Sequence, residues 1–268
     1  MDDSRGEPHA SVRPYQNSWC VMTPQVPTAQ KTISRKSDLK PVVAELETYY
    51  LAGNESDFWY LLETEILQHR VRFPLLEYVA RELVQVMPAE AQLNFTDRLV
   101  TKPYQGEYVL LAIVLQERMA IHLSQSFSKA EEYIIMADKW YACDNISERV
   151  CGEGLLRDFA TAVSLIRANT THPNHWLVRS TGVATHYATK KGLAKENVAT
   201  LFETLMPAAQ TKDYFAKKGV GWAFKTIAKF HPDIVQPQLE AIQNDPTINS
   251  WCKQKLKIGL SMAQKRTN

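Results

Sequence analysis

Glycine is scarce in this chain, ten in 268 residues, and runs that alternate apolar with polar residues are scarcer still. A sheet is hard to build from such a pattern, so an all-α fold is expected. The four cysteines, Cys20, Cys143, Cys151 and Cys252, form no CxxC pair; neither a zinc ribbon nor a disulfide framework is encoded, and all four read as reduced thiols. No apolar run approaches the roughly 18 to 20 residues that a membrane helix needs. The opening MDDSRGEPHASV has neither the basic segment nor the apolar core of a secretory signal, and a cytoplasmic location is expected. There is no GxxxxGK[ST] loop and no GxSxG elbow, which removes support for nucleotide hydrolysis and for a serine hydrolase. His172, His175 and His186 lack HExxH spacing and a nearby carboxylate, so no metal site is expected.

What the chain does have is apolar residues, 45% of the total, enough for a sizeable core. Its net charge of +2 conceals an asymmetry: residues 1–163 carry 16 Lys+Arg against 23 Asp+Glu, and residues 164–268 carry 15 against 6. A basic half suggests a polyanion partner, although surface lysines also serve solubility alone. Residues 1–36 contain Pro8, Pro14, Pro24 and Pro27 with no sustained apolar period, which reads as a disordered leader before one domain over 37–268. From Ser37 onward the period is helical. Pro74 opens a helix with Leu75, Leu76, Val79, Leu83 and Val86 at spacings of three and four, and further segments follow at about 89–101, 105–123, 128–140, 144–151 and 154–168. The last third repeats a helix, a short connection and a second helix, at about 176–190, 195–205, 212–230, 234–244 and from 247. Paired helices at such intervals fit a HEAT-like superhelical solenoid with a concave basic face, in which each pair buries its apolar side against its neighbours. An irregular helical bundle is the rival.

Three segments can carry chemistry. In 139–152, KWYACDNISERVCG, Trp140 and Tyr141 are followed within two helical turns by Asp144, Ser147, Glu148 and Arg149, so ring faces and carboxylates can share one wall. The plain alternative is a core tryptophan, a capping Asp144 and solvated charges. In 172–191, Trp176 stands one turn before Arg179 and Ser180. An arginine near the positive end of a helix dipole does not stabilise that helix, so a phosphate partner is attractive, a carboxylate elsewhere in the fold being the alternative. In 212–231, Lys218, Trp222, Lys225 and Lys229 recur at three and four residues, a basic stripe with one aromatic set into it, or a core tryptophan with a solvated face. Gly219 and Gly221 inside that helix cost about 1 kcal/mol each relative to alanine, which close approach of a helix or a ligand would justify.

Taken together these segments resemble the DNA alkylation repair family of HEAT-like alkylpurine DNA glycosylases, from about residue 37 to the end. Asn174-His175-Trp176-Leu177-Val178-Arg179 is similar to the family's Asn-x-Trp-Leu-x-Arg, and Lys218-Gly219-Val220-Gly221-Trp222 to its Lys-Ala-Ile-Gly-Trp. The resemblance implies a duplex held in the solenoid and removal of N3- or N7-alkylated purines while the nucleotide stays in the helix. It places the phosphate-binding arginine at Arg179 and an active-site tryptophan at Trp222. The family's Trp-Trp-Asp-x-Val-Asp run has its counterpart in Tyr141-Ala142-Cys143-Asp144-Asn145-Ile146-Ser147, where Asp144 matches the first aspartate, Cys143 stands at the tryptophan and Ser147 at the catalytic aspartate.

With that placement, Asp144 or Glu148 is the expected catalytic carboxylate, and Arg179, Trp222, Trp140, Tyr141, Trp176, Lys218 and Lys225 are the expected DNA contacts. The expected partner is duplex DNA, alkylated or distorted, bound by a monomer without cofactor or metal. A non-catalytic binder of branched or distorted DNA and a protein-binding helical scaffold are the alternatives.

Overall fold

The computed structural model of the protein describes residues 30–267. Most of the expected leader, and Cys20 with it, lies outside that range. The leader's described end is tied down: Thr32–Ile33 (β1) pairs in parallel with Arg70–Val71 (β2). Everything else regular among the described residues is helical, and the protein is all-α.

The helices are α1 (Lys36–Leu51), α2 (Glu55–Leu62), α3 (Phe73–Val86), α4 (Ala89–Leu99), α5 (Glu107–Ala137), α6 (Trp140–Ile146), α7 (Glu153–Arg157), α8 (Phe159–Asn169), α9 (His175–Lys190), α10 (Lys195–Thr204), α11 (Tyr214–Phe230), α12 (Pro232–Val235), α13 (Leu239–Asn244) and α14 (Ser250–Thr267). Side-chain caps start several of them: Asn54 accepts from the Asp57 amide, Asn174 from that of Trp176, and Asp213 from those of Phe215 and Ala216. The two segments expected at 105–123 and 128–140 meet in α5, which breaks at His122, with φ −143° and ψ 78°. Its end differs from expectation. Asp138 takes a left-handed conformation, φ 48°, and stops α5 at Ala137, three residues early. Trp140 therefore opens the next helix. π-helical turns over Ser147–Gly152 join α6 to α7 as one rod.

Helices α1, α3, the first half of α5, the α6–α7 rod, α9, α11 and α14 pack each on the next. Helices α2, α4, the second half of α5, α8, α10 and α12–α13 return the chain in a second layer. Arg81 of α3 reaches Glu117 in the first half of α5, while Asp97 of α4 bonds Lys129 and Tyr133 in the second half. Because each return helix reverses direction, the helices of the first layer run parallel and begin at one edge. Contacts between their starts confirm it. Tyr108 meets Tyr141, Asp138 accepts from the Trp176 indole, His175 stacks on Phe215, and Asn249 donates to the Thr211 carbonyl.

Helices α9 and α11 approach each other closely. A Cβ on Gly182 would stand 2.3 Å from the Gly219 carbonyl carbon, and one on Gly219 would stand 2.6 Å from the Arg179 carbonyl oxygen. A Cβ on Gly221 would stand 2.7 Å from the Trp251 ring of α14. The in-helix glycines are thus explained by helix packing. Cys143, Cys151 and Cys252 are buried free thiols.

Glu107, at the start of α5, is fully enclosed, and neither carboxyl oxygen has a partner among the described residues. Burial pushes its pKa up to about 9. Between an ordinary carboxyl pKa and that value the folded chain holds a proton that the unfolded chain has lost, so stability falls as pH rises through this window.

Two outcomes follow from this packing. Gly182→Ala should cost about 1–3 kcal/mol through overpacking against Gly219, read as a Tm lower by about 2–4 °C for each kcal/mol. Glu107→Gln should raise Tm at pH 8 and leave it nearly unchanged at pH 4.5. An equal effect at both pH values would show that the folded carboxyl does not hold the extra proton.

Candidate nucleic-acid interface

Asp144, Arg179 and Lys218 each stand five residues into their helices, α6, α9 and α11, whereas Ser147 and Glu148 lie in the π-helical turns and Lys225 further along α11. Asp144 and Arg179 form a two-pronged pair: Arg179 donates from Nε to Oδ1 and from Nη2 to Oδ2, each at 2.7 Å. Its Nη1 donates to the Phe215 carbonyl at 3.0 Å, linking the pair to α11. Arg179 is 7% exposed and the Asp144 side chain 15%. Burial works against the Arg179 charge, but the hydrogen bonds and charge of Asp144 more than offset it, and its pKa is raised. Planar guanidinium and carboxylate meeting edge to edge give both direction and strength to the contact.

One turn before Asp144, on the same face, Trp140 is 55% exposed, with its ring edge on Tyr141. Tyr141 is half-buried against Tyr108, and its hydroxyl has no partner among the described residues. Ser147 is completely buried with its Oγ 3.8 Å from Cys143 Sγ. Cys143 is enclosed as well, its thiol pushed up to about 12 by burial, and it donates to the Trp176 carbonyl. Positions 143 and 147 thus face the core, not the edge.

Glu148 is partly buried, and burial pushes its carboxyl above the usual range, opposed by Arg149 and reinforced by Asp144. Its nearest cation is Arg149, at 4.0 Å. Trp176 is enclosed by the fold, 4% exposed, with Nε1 donating to Asp138 at 2.6 Å and its ring against His175 and Phe215. Its part here is packing.

Lys218 donates to the Tyr214 hydroxyl at 2.5 Å and lies over that ring. Tyr214 is exposed, and the Lys218 hydrogen bond lowers its pKa. Neither Tyr214 nor Phe215 was singled out in the sequence, though both open the helix that carries the basic stripe. Trp222 lies two turns further along α11, half-buried and stacked on His186, ring centres 4.2 Å apart. The same imidazole bonds Thr226 through Nδ1 at 2.6 Å. Burial, with Lys190 and Lys225 nearby, pushes His186 down to about 4 and keeps it neutral. Lys225 thus stands beside the Trp222–His186 stack. Asp144, Arg179 and Trp140 form one cluster, and Trp222 belongs to a second on the neighbouring helix.

Stacked helix pairs that set a polar cluster on successive parallel helices are the build of a helical-repeat protein. Within that class, the sequence model described as DNA alkylation repair enzyme matches residues 68–253, more than two thirds of the chain, from the approach to α3 into α14. The chain belongs to the DNA alkylation repair family. No curated protein matches it.

The Asp144–Arg179 pair gives a stability prediction. Asp144→Ala strands an enclosed guanidinium and should cost about 3 kcal/mol or more, whereas Asp144→Ala with Arg179→Met should recover most of the loss. A denaturant titration in which the two single changes simply add would show the residues to be uncoupled.

Proposed function

We propose that this protein binds duplex DNA along the edge where α6, α9 and α11 begin, and releases N3- or N7-alkylated purines by hydrolysis of the N-glycosidic bond. Asp144 is the carboxylate of the reaction and Trp140 the aromatic face beside it. The observation that carries the reading is the arginine-held carboxylate one helical turn from an exposed tryptophan, within the span that defines the family.

The burial pattern supports a different register for the family's Trp-Trp-Asp-x-Val-Asp run. Laid on 142–147, it places its second tryptophan and last aspartate at Cys143 and Ser147, both enclosed. Moved three residues toward the start, it places them at Trp140 and Asp144, four apart as in the run, on the side that reaches solvent. Nothing catalytic is then missing, and Ser147 is a core residue.

An alkylated purine carries positive charge, so the C1′–N bond breaks with its electron pair going to the base, which leaves neutral. Positive charge develops on the sugar. A carboxylate beside C1′ stabilises that charge and takes a proton from the water that adds there. Each Asp144 oxygen accepts one bond from Arg179 and retains a second lone pair for this work. Arg179 in turn has one N–H left on each terminal nitrogen, since three of its five are engaged; those two are the donors available to a backbone phosphate. Lys218, Lys225 and Trp222 extend the contact along α11. No cofactor is required, because the leaving group is activated by its own charge.

The test is a single-turnover assay of duplexes carrying 7-methylguanine or 3-methyladenine, reading free base and alkali-labile strand breaks. Asp144→Asn with Glu148→Gln should reduce release by about 10²–10³, and Trp140→Ala, at an exposed position, should reduce it without lowering Tm. Release by the wild type no greater than by the double variant would sink the glycosylase reading. Salt-dependent duplex binding in that case would leave a DNA-binding protein without excision.

A further inference from the structure

A cavity of about 910 Å³ opens at the same edge but away from Asp144, between β2, the start of α3 and the turn into α5. Its inner wall is apolar, with Leu67, Val71 and Leu76, and no aspartate or glutamate lines it. Arg70 and Arg72 both reach it. They stand two apart in extended backbone, so their side chains leave one face. Both are exposed, and neither side chain has a hydrogen-bond or ion-pair partner among the described residues. Arg81, Arg98, Arg149, Arg157 and Arg179 each hold a carboxylate; exposed Arg167 on α8 is unpaired too among the described residues but stands alone, whereas Arg70 and Arg72 line one cavity together.

The backbone around the cavity favours the same sign of ligand. Arg72 and Gly106 stand at the N-terminal ends of α3 and α5, helices of 14 and 31 residues, and no side chain caps the amides of either. Both ends open on the cavity, where the helix dipoles favour an anion, although in α3 only the Phe73 amide is free to donate, since Pro74 has none and those of Leu75 and Leu76 bond the Arg72 carbonyl. His69 also lines it, with Nδ1 buried and unpartnered.

The cavity is joined to the Asp144 site by one side chain. Phe73, half exposed at the cavity rim, lies under the Arg149 guanidinium, 5.5 Å from it. Arg149 bonds Glu77 of α3 at 2.8 Å and follows Asp144 by five residues on the same rod. The two sites are therefore held in a fixed relation along one edge.

We propose that this cavity is a second oxyanion site, and that it holds a backbone phosphate of the duplex that occupies the Asp144 site. The inference rests on the DNA reading above and extends the contact along the edge to the start of α3. Two unpaired guanidinium groups suit the fork geometry of a phosphodiester, and the Phe73 ring supplies an apolar edge for the adjoining deoxyribose. Arg70 and Arg72 are the contacts; His69 and the Phe73 amide, the one N–H left free in the first turn of α3, complete the cradle.

Fluorescence anisotropy of a labelled duplex across a salt series tests this. Arg70→Gln with Arg72→Gln should flatten the slope of log K against log salt by about 1 to 2, as expected when one or two phosphate contacts are lost. Affinity near 0.1 M salt should fall about tenfold, with Tm unchanged because both side chains are exposed. Lys40→Gln with Lys257→Gln, exposed lysines elsewhere, should leave the slope as it is. A wild type that binds duplex with steep salt dependence while the arginine variant matches it overturns the cavity alone, as would an equal change in the lysine control. A wild type with no salt-dependent affinity overturns the DNA reading and the cavity with it. Stabilisation of the wild type, but not of the arginine variant, by millimolar inorganic phosphate with unchanged DNA slopes would assign the cavity to free phosphate and overturn the duplex assignment.

Discussion

The close crossing of α9 and α11 governs the rest of this site. Gly182 lies against the Gly219 backbone, and Gly219 in turn lies against the Arg179 backbone and stem, where a Cβ would come within 2.7 Å of Arg179 Cγ. An arginine pressed between two helices in this way has few directions open to it. Its guanidinium reaches the Phe215 carbonyl on one side and Asp144 on the other, so a backbone contact on α9 and α11 fixes a carboxylate on α6. Two glycines that weaken their own helices thereby place the most constrained charge pair of the edge.

That edge gathers features which point to a polyanion. Parallel helices begin along it, their dipoles positive at that end. Trp140, Tyr214 and Phe73 are exposed there, beside Lys139, Lys218 and the Arg70–Arg72 pair. Asp144 belongs to the acidic part of the sequence, whereas Arg179 and Lys218 belong to the basic part. The charge asymmetry is therefore not a division between two faces. The candidate site lies where the two parts meet, and its carboxylate comes from one and its cations from the other.

Much of this was legible in the sequence, and what was not has physical causes. Few glycines and a sustained helical period indicated the class, and the residues of the three segments do stand on successive helices of one layer. The pairing of Asp144 with Arg179 was open, because a carboxylate was only one of two partners the arginine suggested. The motif register was harder. A rod that continues through π-helical turns over 147–152 has no break to fix the phase, and the left-handed Asp138 that starts it anew at Trp140 carries no signal as strong as a glycine would. Cys143 and Ser147 face inward, which supports the phase proposed above. Trp176 looked like a contact because it precedes Arg179 by one turn, but the Asp138 carboxylate draws its indole into the layer. The unpaired state of Arg70 and Arg72 could not be read at all, because it depends on carboxylates that are absent from their surroundings.

Stability alone gives little reason for the Asp144–Arg179 pair. Desolvating two charges costs about as much as their attraction returns, and well-packed apolar residues often replace such a pair at no loss. The core around it is already apolar, with Cys143, Ile146 and Val150 fully enclosed on the rod, so a methionine and a leucine would have been a simple substitute. The pair instead sits at the edge, with part of the carboxylate still reaching solvent and an exposed tryptophan one turn away. A carboxylate held in this way meets a developing cation without first reorganising, whereas a free surface aspartate would have to be oriented and stripped of water. In the proposed reading that difference, rather than any contribution to folding, is why a charged pair stands where an apolar one would hold the helices equally well.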